Sequence, residues 1–151
     1  PQDMVIMGIP SEIESVAENL CKNAIESMNK STRELNVAAF SPAYIRTPEN
    51  CIRGRIRSGV KYVVITVRDN GCGIAEDKIE ALRSGKSFST KKGPGRGVGL
   101  LGIFNLVVYI LGGAIGLSSV LGEGSTFTIY LPQEQRDNPP VLPDDRAFGA
   151  E

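Results

Sequence analysis

Apolar residues at Ile13, Val16, Ala17, Leu20, Ala24, Ile25 and Met28 recur mostly at three- and four-residue intervals, the period of one helix face. They predict an amphipathic helix opening at Pro10-Ser11 and ending near Lys30. Ser11 and Glu14 fit the S-x-x-E pattern that satisfies free N–H groups at a helix start. The pattern then changes period. Leu35 to Tyr44 reads as a strand, and Val60 to Val67 (VKYVVITV) is β-branched and aromatic, a strong strand signal. Met4 to Ile9 reads as a short strand before the helix. Between the strands, Arg46 to Gly59 carries Pro48, Asn50, Gly54 and Gly59 and reads as loop. Asp69 to Ile74 is a turn, Ala75 to Arg83 a short helix, and Gly85 to Gly97 a polar, glycine-rich stretch expected to be a mobile lid. Gly99 to Leu111 reads as a helix stopped by Gly112-Gly113. Ala114 to Leu121 and Ser125 to Leu131 form two strands about the turn Gly122-Glu123-Gly124.

The expected fold is therefore α/β: a two-layer sandwich with about three helices on one face of a mixed, mostly antiparallel sheet of about five strands. Residues 1–132 form one domain. Residues 133–151 are polar and proline-rich and read as a disordered tail or linker.

Composition narrows the chemistry. The chain has 151 residues, 17 basic and 17 acidic, so the net charge does not ask for nucleic acid. No apolar run approaches the roughly 20 residues that cross a bilayer. The expected setting is cytoplasmic, without membrane contact by this stretch. The first residue is Pro1 and no leader pattern follows it, which reads as a piece of a longer chain. Three cysteines without CxxC spacing argue against a disulfide framework and a zinc site. Histidine is absent, which removes Ser-His-Asp triads, His metal clusters and any His base.

The segment KKGPGRGVGLLGIFNLV, from Lys91 to Val107, holds five glycines between Gly93 and Gly102. Gly97 to Gly102 spells GxGxxG, but the dinucleotide fingerprint needs a strand just before it, and Ser87 to Pro94 is no strand. Gly85-Lys86-Ser87 resembles the end of a phosphate-binding P-loop, but Glu80 stands where that motif needs its first glycine. Alone, the glycines fit a surface loop. Three further segments change the weighing. Asn19 and Asn23 share a helix face at i and i+4, an unfavourable place for two asparagines. Asp69-Asn70-Gly71-Cys72-Gly73-Ile74 follows a strong strand and leads into a helix rather than into the second strand of a hairpin. Gly122 to Pro132 reads GEGSTFTIYLP.

In this order the four segments resemble the ATP-binding catalytic domain of sensor histidine kinases, of the Bergerat fold. That superfamily also includes type II topoisomerases, the large heat-shock chaperones and the MutL mismatch-repair proteins. The N-box matches at NLCKNA, the G1 box at DNGCGI, the G2 box at GRGVGL and the G3 box at GEGSTFTIYLP. FSTK (Phe88 to Lys91) and Leu111-Gly112-Gly113 stand where the family has similar short segments. The resemblance covers Met4 to Pro132.

The resemblance implies two cofactors, ATP and Mg²⁺, and a site. Asn23 would be the metal ligand, a hard oxygen suited to Mg²⁺. Asp69 would accept from the adenine amino group, with Gly71, Gly73 and Ile74 around the ring and the Ser125 hydroxyl in place of the usual Thr. Gly95, Gly97, Val98, Gly99 and Leu100 would face the phosphates at a helix start, with Lys91, Lys92 and Arg96 as lid cations. Asn19 and Lys91 are assigned catalytic roles, Asn19 also touching the nucleotide. Hydrolysing relatives have a Glu base at the position of Asn19. Glu18 lies about 100° round the helix, so water attack is not promoted and phosphate would pass to a protein side chain. Ser27 replaces a Tyr common against the nucleotide, and Leu111 the His of HGG.

The acceptor would be a histidine on a separate dimerisation domain of a homodimeric parent chain, feeding a response regulator. Two other readings share these boxes: a serine kinase of the anti-sigma-factor type, and a nucleotide-sensing module without phosphotransfer. The basic residues Arg46, Arg53, Arg55, Arg57 and Lys61 read as a solvated loop ahead of an acidic-partner surface.

Overall fold

Helix α1 (Pro10–Ser27) lays Val16, Leu20 and Ala24 into the core, and Met28, just past its end, is buried with them. The computed structural model describes residues 10–42, 45–85 and 98–133. The strand expected over Met4 to Ile9, the lid from Lys86 to Gly97 and the tail from Glu134 lie outside those residues. The α1 periodicity places the stripe correctly except at Ile25, which is 50% exposed. The helix starts at Pro10, so Ser11 falls in its first turn. The Ser11 hydroxyl there donates to the Glu12 carboxylate.

Five strands form one sheet in the order β1-β3-β5-β4-β2: β1 (Leu35–Phe40), β2 (Cys51–Arg53), β3 (Tyr62–Asp69), β4 (Ala114–Val120) and β5 (Gly124–Pro132). Each described pair is antiparallel, in line with the expected mostly antiparallel sheet of about five strands, and no parallel pair occurs among the described residues. The β-branched run Val63 to Val67 makes β3 an inner strand, held on both edges and largely buried. Edge strand β1 is exposed along its whole length.

Helices α1, α2 (Glu76–Arg83) and α3 (Val98–Asn105) form the second layer. Their apolar faces meet Val67, Ile115, Leu117, Phe127, Ile129 and Leu131 of the sheet. The expected helix Gly99 to Leu111 is divided. After α3, residues Leu106–Ile110 widen into a π turn, with the Leu111 N–H on Leu106 O at 2.9 Å, a spacing of five residues. The Gly113 N–H then closes on Val107 O at 2.7 Å. Gly113 has no room for a side chain, because a Cβ would strike Tyr130 O.

The stretch Arg46 to Gly59 is more than a loop. Its centre, β2, pairs with β4 at the sheet edge, and the Leu117 N–H bonds Asn50 O at 3.0 Å. Around β2, Ile45, Cys51, Ile56 and Val60 pack on Tyr62, Val64, Ala114 and Tyr130, making a second, smaller core on the face opposite the helices. Tyr62 is fully buried there, and its hydroxyl accepts the Arg57 N–H at 3.0 Å. Burial pushes the Cys51 thiol pKa up, outweighing its hydrogen bond to Arg53 and the nearby Arg83 charge. The last strand ends at Pro132, and Gln133 N–H bonds Lys61 O.

Candidate functional site

Asp69 ends β3 and Ser125 stands second on β5. The register pairs Asp69 with Ser125, and Ser125 with Ser119 of β4. Directly opposed residues share a sheet face, so a carboxylate and two hydroxyls form one row across three adjacent strands. Asp69 and Ser125 are each only 7% exposed. A carboxylate so enclosed requires hydrogen-bond partners. Asp69 Oδ1 accepts the Gly71 N–H at 2.8 Å and the Ser125 N–H at 3.3 Å, and Ser27 Oγ stands 3.5 Å away. All the hydrogen bonds that described residues give this carboxylate end on Oδ1. That anchors the side chain and leaves Oδ2 for a ligand donor.

The loop after β3 is packed against this row. Gly71 lies on the end of α1, where a Cβ would run into the Ser27 hydroxyl. Gly73 has φ +73°, which favours glycine, and a Cβ there would strike Val120 O of the β4–β5 hairpin. The Cys72 N–H bonds Ser27 O at 3.0 Å, and Gly122 N–H bonds Cys72 O at 2.7 Å. Gly124, at φ +136°, brings the hairpin onto Asp69 O. These glycines therefore let α1, the loop and the hairpin meet within van der Waals contact around Asp69. The Ile74 N–H is received by Ser119 Oγ at 2.7 Å, and the Ile74 side chain packs on the main core.

The α1 face completes the arrangement. Asn19, Asn23 and Ser27 follow one another at four-residue steps, about 6 Å apart along the axis. Ser27 touches Asp69, which aligns this file of polar side chains with the row. Asn19 is exposed, and its Nδ2 donates to Ser15 O at 2.7 Å. Asn23 is half-buried and its amide makes no hydrogen bond among the described residues. Its oxygen is therefore available to a cation. Among the described residues no group of three His, Cys, Asp or Glu side chains could hold a metal. A cation here would need oxygens from a ligand as well, which suits Mg²⁺ bound with phosphates.

The structure thus brings together Asp69, Gly71, Gly73, Ile74 and Ser125, with Asn23 and Asn19 on the adjoining helix. Leu100 is half-buried against the main core in the first turn of α3, and Val98 and Gly99 open that helix. Lys91, Lys92, Gly95, Arg96 and Gly97 lie outside the described residues. The sequence reading missed Ser119. Its signal, a Ser six residues before Ser125 across a Gly-Glu-Gly turn, gains meaning only when the hairpin register makes the two opposite.

A family model described as histidine kinase-, DNA gyrase B- and HSP90-like ATPase matches residues 8–135. The chain belongs to this family. The expected resemblance holds, and the family, one of ATPases, makes ATP the ligand. Over 150 residues the chain is 31% identical to the sensor histidine kinase AtsR of Burkholderia thailandensis, covering 96% of this chain and 22% of that protein. It is 32% identical over 147 residues to the sensor kinase CckA of Brucella abortus, covering 89% of this chain and 14% of that one. Over 75 residues it is 44% identical to the sensor histidine kinase ZraS of Salmonella typhimurium, half of this chain and 16% of that protein. The chain spans less than a quarter of the length of each of these relatives. The solved catalytic domain of the histidine kinase ThkA shares the fold, with TM-score 0.55 and 22% identity over 85% of this chain and 70% of that one. The mycobacterial sensor histidine kinase MprB does so at TM-score 0.55 and 17% identity, over 85% of this chain and 77% of that one.

Proposed function

We propose that this domain binds Mg-ATP and donates its γ-phosphoryl group to a histidine on a separate dimerisation domain, as the catalytic half of a two-component sensor histidine kinase. The observation that carries the reading is the Asp69–Ser125–Ser119 row set against the Asn19–Asn23–Ser27 face. A single enclosed carboxylate, anchored through one oxygen, suits the amino group of adenine. A polar helix face beside it suits the phosphates that project from the same nucleotide.

In this reading Asp69 Oδ2 accepts from the adenine amino group, and Ser125 faces the same edge. Gly71, Gly73 and Ile74 hold the loop around the ring. Asn23 lends its amide oxygen to Mg²⁺, which neutralises phosphate charge when bound. Lys91, Lys92 and Arg96 supply lid cations, and Gly95, Gly97, Val98, Gly99 and Leu100 place backbone N–H groups of the lid and the start of α3 toward the phosphates. Asn19 cannot abstract a proton as a carboxylate would, because an amide is not a base at neutral pH. Water is therefore not activated at that point of α1, and the phosphoryl group is kept for a protein acceptor. The chain contains no histidine, so the acceptor lies outside these 151 residues. The parent would be a homodimer that signals to a response regulator, with this domain on the cytoplasmic side.

The test is incubation of the domain with ATP, Mg²⁺ and a supplied His-bearing dimerisation domain. Phosphate should appear on the acceptor in an acid-labile form. Acid-stable phosphate on a supplied Ser-bearing acceptor would favour the serine-kinase reading. Nucleotide binding without any transfer would leave a sensing module.

A further inference from the structure

Ser119 stands at the junction of the three segments that enclose the base site. Its Oγ receives the Ile74 N–H at 2.7 Å, from the loop that follows Asp69. Its own proton has an acceptor in Gly124 O at 2.9 Å, at the hairpin turn. Ser125 Oγ lies 2.8 Å away. A hydroxyl has one proton and two lone pairs. With the proton on Gly124 O and one lone pair taken by Ile74, the remaining lone pair of Ser119 receives the Ser125 proton. The Ser125 oxygen then has only lone pairs left to offer, as does the adjoining Asp69 carboxylate.

We infer that Ser119 is a specificity-determining positioning residue, which turns the Ser125 hydroxyl into an obligate acceptor so that the 6-position of the base meets acceptors alone. Facing the 6-substituent, these two acceptors admit an amino group, which has a proton for each, and oppose a 6-oxo group, whose lone pairs would meet theirs. Ser119 does this without touching the base, through Ser125. The inference rests on the adenine reading of the Asp69 site.

Removing the Ser119 hydroxyl frees the Ser125 proton to rotate toward the ligand, where it can serve a 6-oxo group. The experiment compares ADP and IDP affinities by calorimetry for the unaltered domain, Ser119→Ala, Ser119→Cys and Ser119→Thr. The unaltered domain should prefer ADP. In Ser119→Ala the ADP-to-IDP preference should narrow by about tenfold, the scale of one mispaired buried hydrogen bond, with IDP binding tighter than before. Ser119→Cys, which fills the site with a slightly larger atom that hydrogen-bonds weakly, should behave like Ser119→Ala and covers the case in which Ala unfolds the hairpin. Ser119→Thr, which restores a hydroxyl on a strand that tolerates β-branching, should recover the preference. Equal losses for ADP and IDP in Ser119→Ala and Ser119→Cys would show a purely structural residue and overturn the inference. An unchanged preference in both would overturn it too. Failure of the unaltered domain to bind ADP would overturn the adenine reading itself, and this inference with it.

Discussion

Asp69 is the residue on which the proposed site turns, and its surroundings state what a substitution does. Asp69→Asn keeps an oxygen for the Gly71 and Ser125 N–H groups at Oδ1 but, in the proposed nucleotide site, turns an amide donor toward the adenine amino group. Nucleotide affinity should fall by about 1–3 kcal/mol, the cost of a mispaired buried polar group. ADP and ATP should suffer alike in calorimetry, since the base is common to both. A loss confined to ATP would point to a phosphate role instead. Asn23 makes a contrasting case. It is half-buried on α1 and makes no hydrogen bond among the described residues, so Asn23→Ala should leave the melting temperature nearly unchanged. The variant should bind ATP with and without Mg²⁺ about equally. Retention of the full Mg²⁺ dependence in a nucleotide titration would exclude Asn23 as the ligand.

At the scale of elements, the two faces of the sheet are covered by different means. Three helices cover one face, and the segment around β2 covers the other with Ile45, Ile56 and Val60. The Tyr62 hydroxyl ties that segment down by accepting the Arg57 N–H. Tyr62→Phe deprives this N–H of its acceptor and should lower stability by about 1–3 kcal/mol in urea denaturation. Because Tyr62 opens β3 and Asp69 ends it, ADP affinity should stay within about twofold, a change of only some 0.4 kcal/mol. A large loss of affinity would mean that the rear face communicates with the site. The basic residues of this segment predict a solvated loop. The structure shows an apolar underside to the same stretch, which the charge pattern concealed.

Across the whole molecule the three cysteines report on three environments. Cys72 is exposed in the loop after Asp69, Cys21 is half-buried against the main core, and Cys51 sits in the smaller core. The raised Cys51 pKa keeps its thiol protonated to higher pH than usual, and the thiolate is the reactive form. At pH 8, iodoacetamide should therefore label Cys72 first and Cys51 slowly, read by mass spectrometry. ADP should slow labelling at Cys72 and leave Cys51 unchanged. Equal protection of both would place the nucleotide elsewhere or reveal global stabilisation alone. Much of the molecule could be read from sequence by itself. The three-to-four-residue period determined α1, because a helix must bury one stripe. The β-branched run determined β3, because only a central strand buries such residues on both faces. Four ordered motifs carry the resemblance to the family, and among their glycines Gly71, Gly73 and Gly124 leave no room for a side chain. Other features depended on contacts distant in sequence. The place of β2 follows from pairing with β4, some sixty residues later, and no local period encodes a three-residue edge strand. The second core comes from side chains that meet only when the segment folds over the sheet. The partnership of Ser119 with Ser125 and Asp69 is a matter of strand register, and register is settled when the faces of the sheet are buried, because a slip of one residue would turn every side chain to the opposite face.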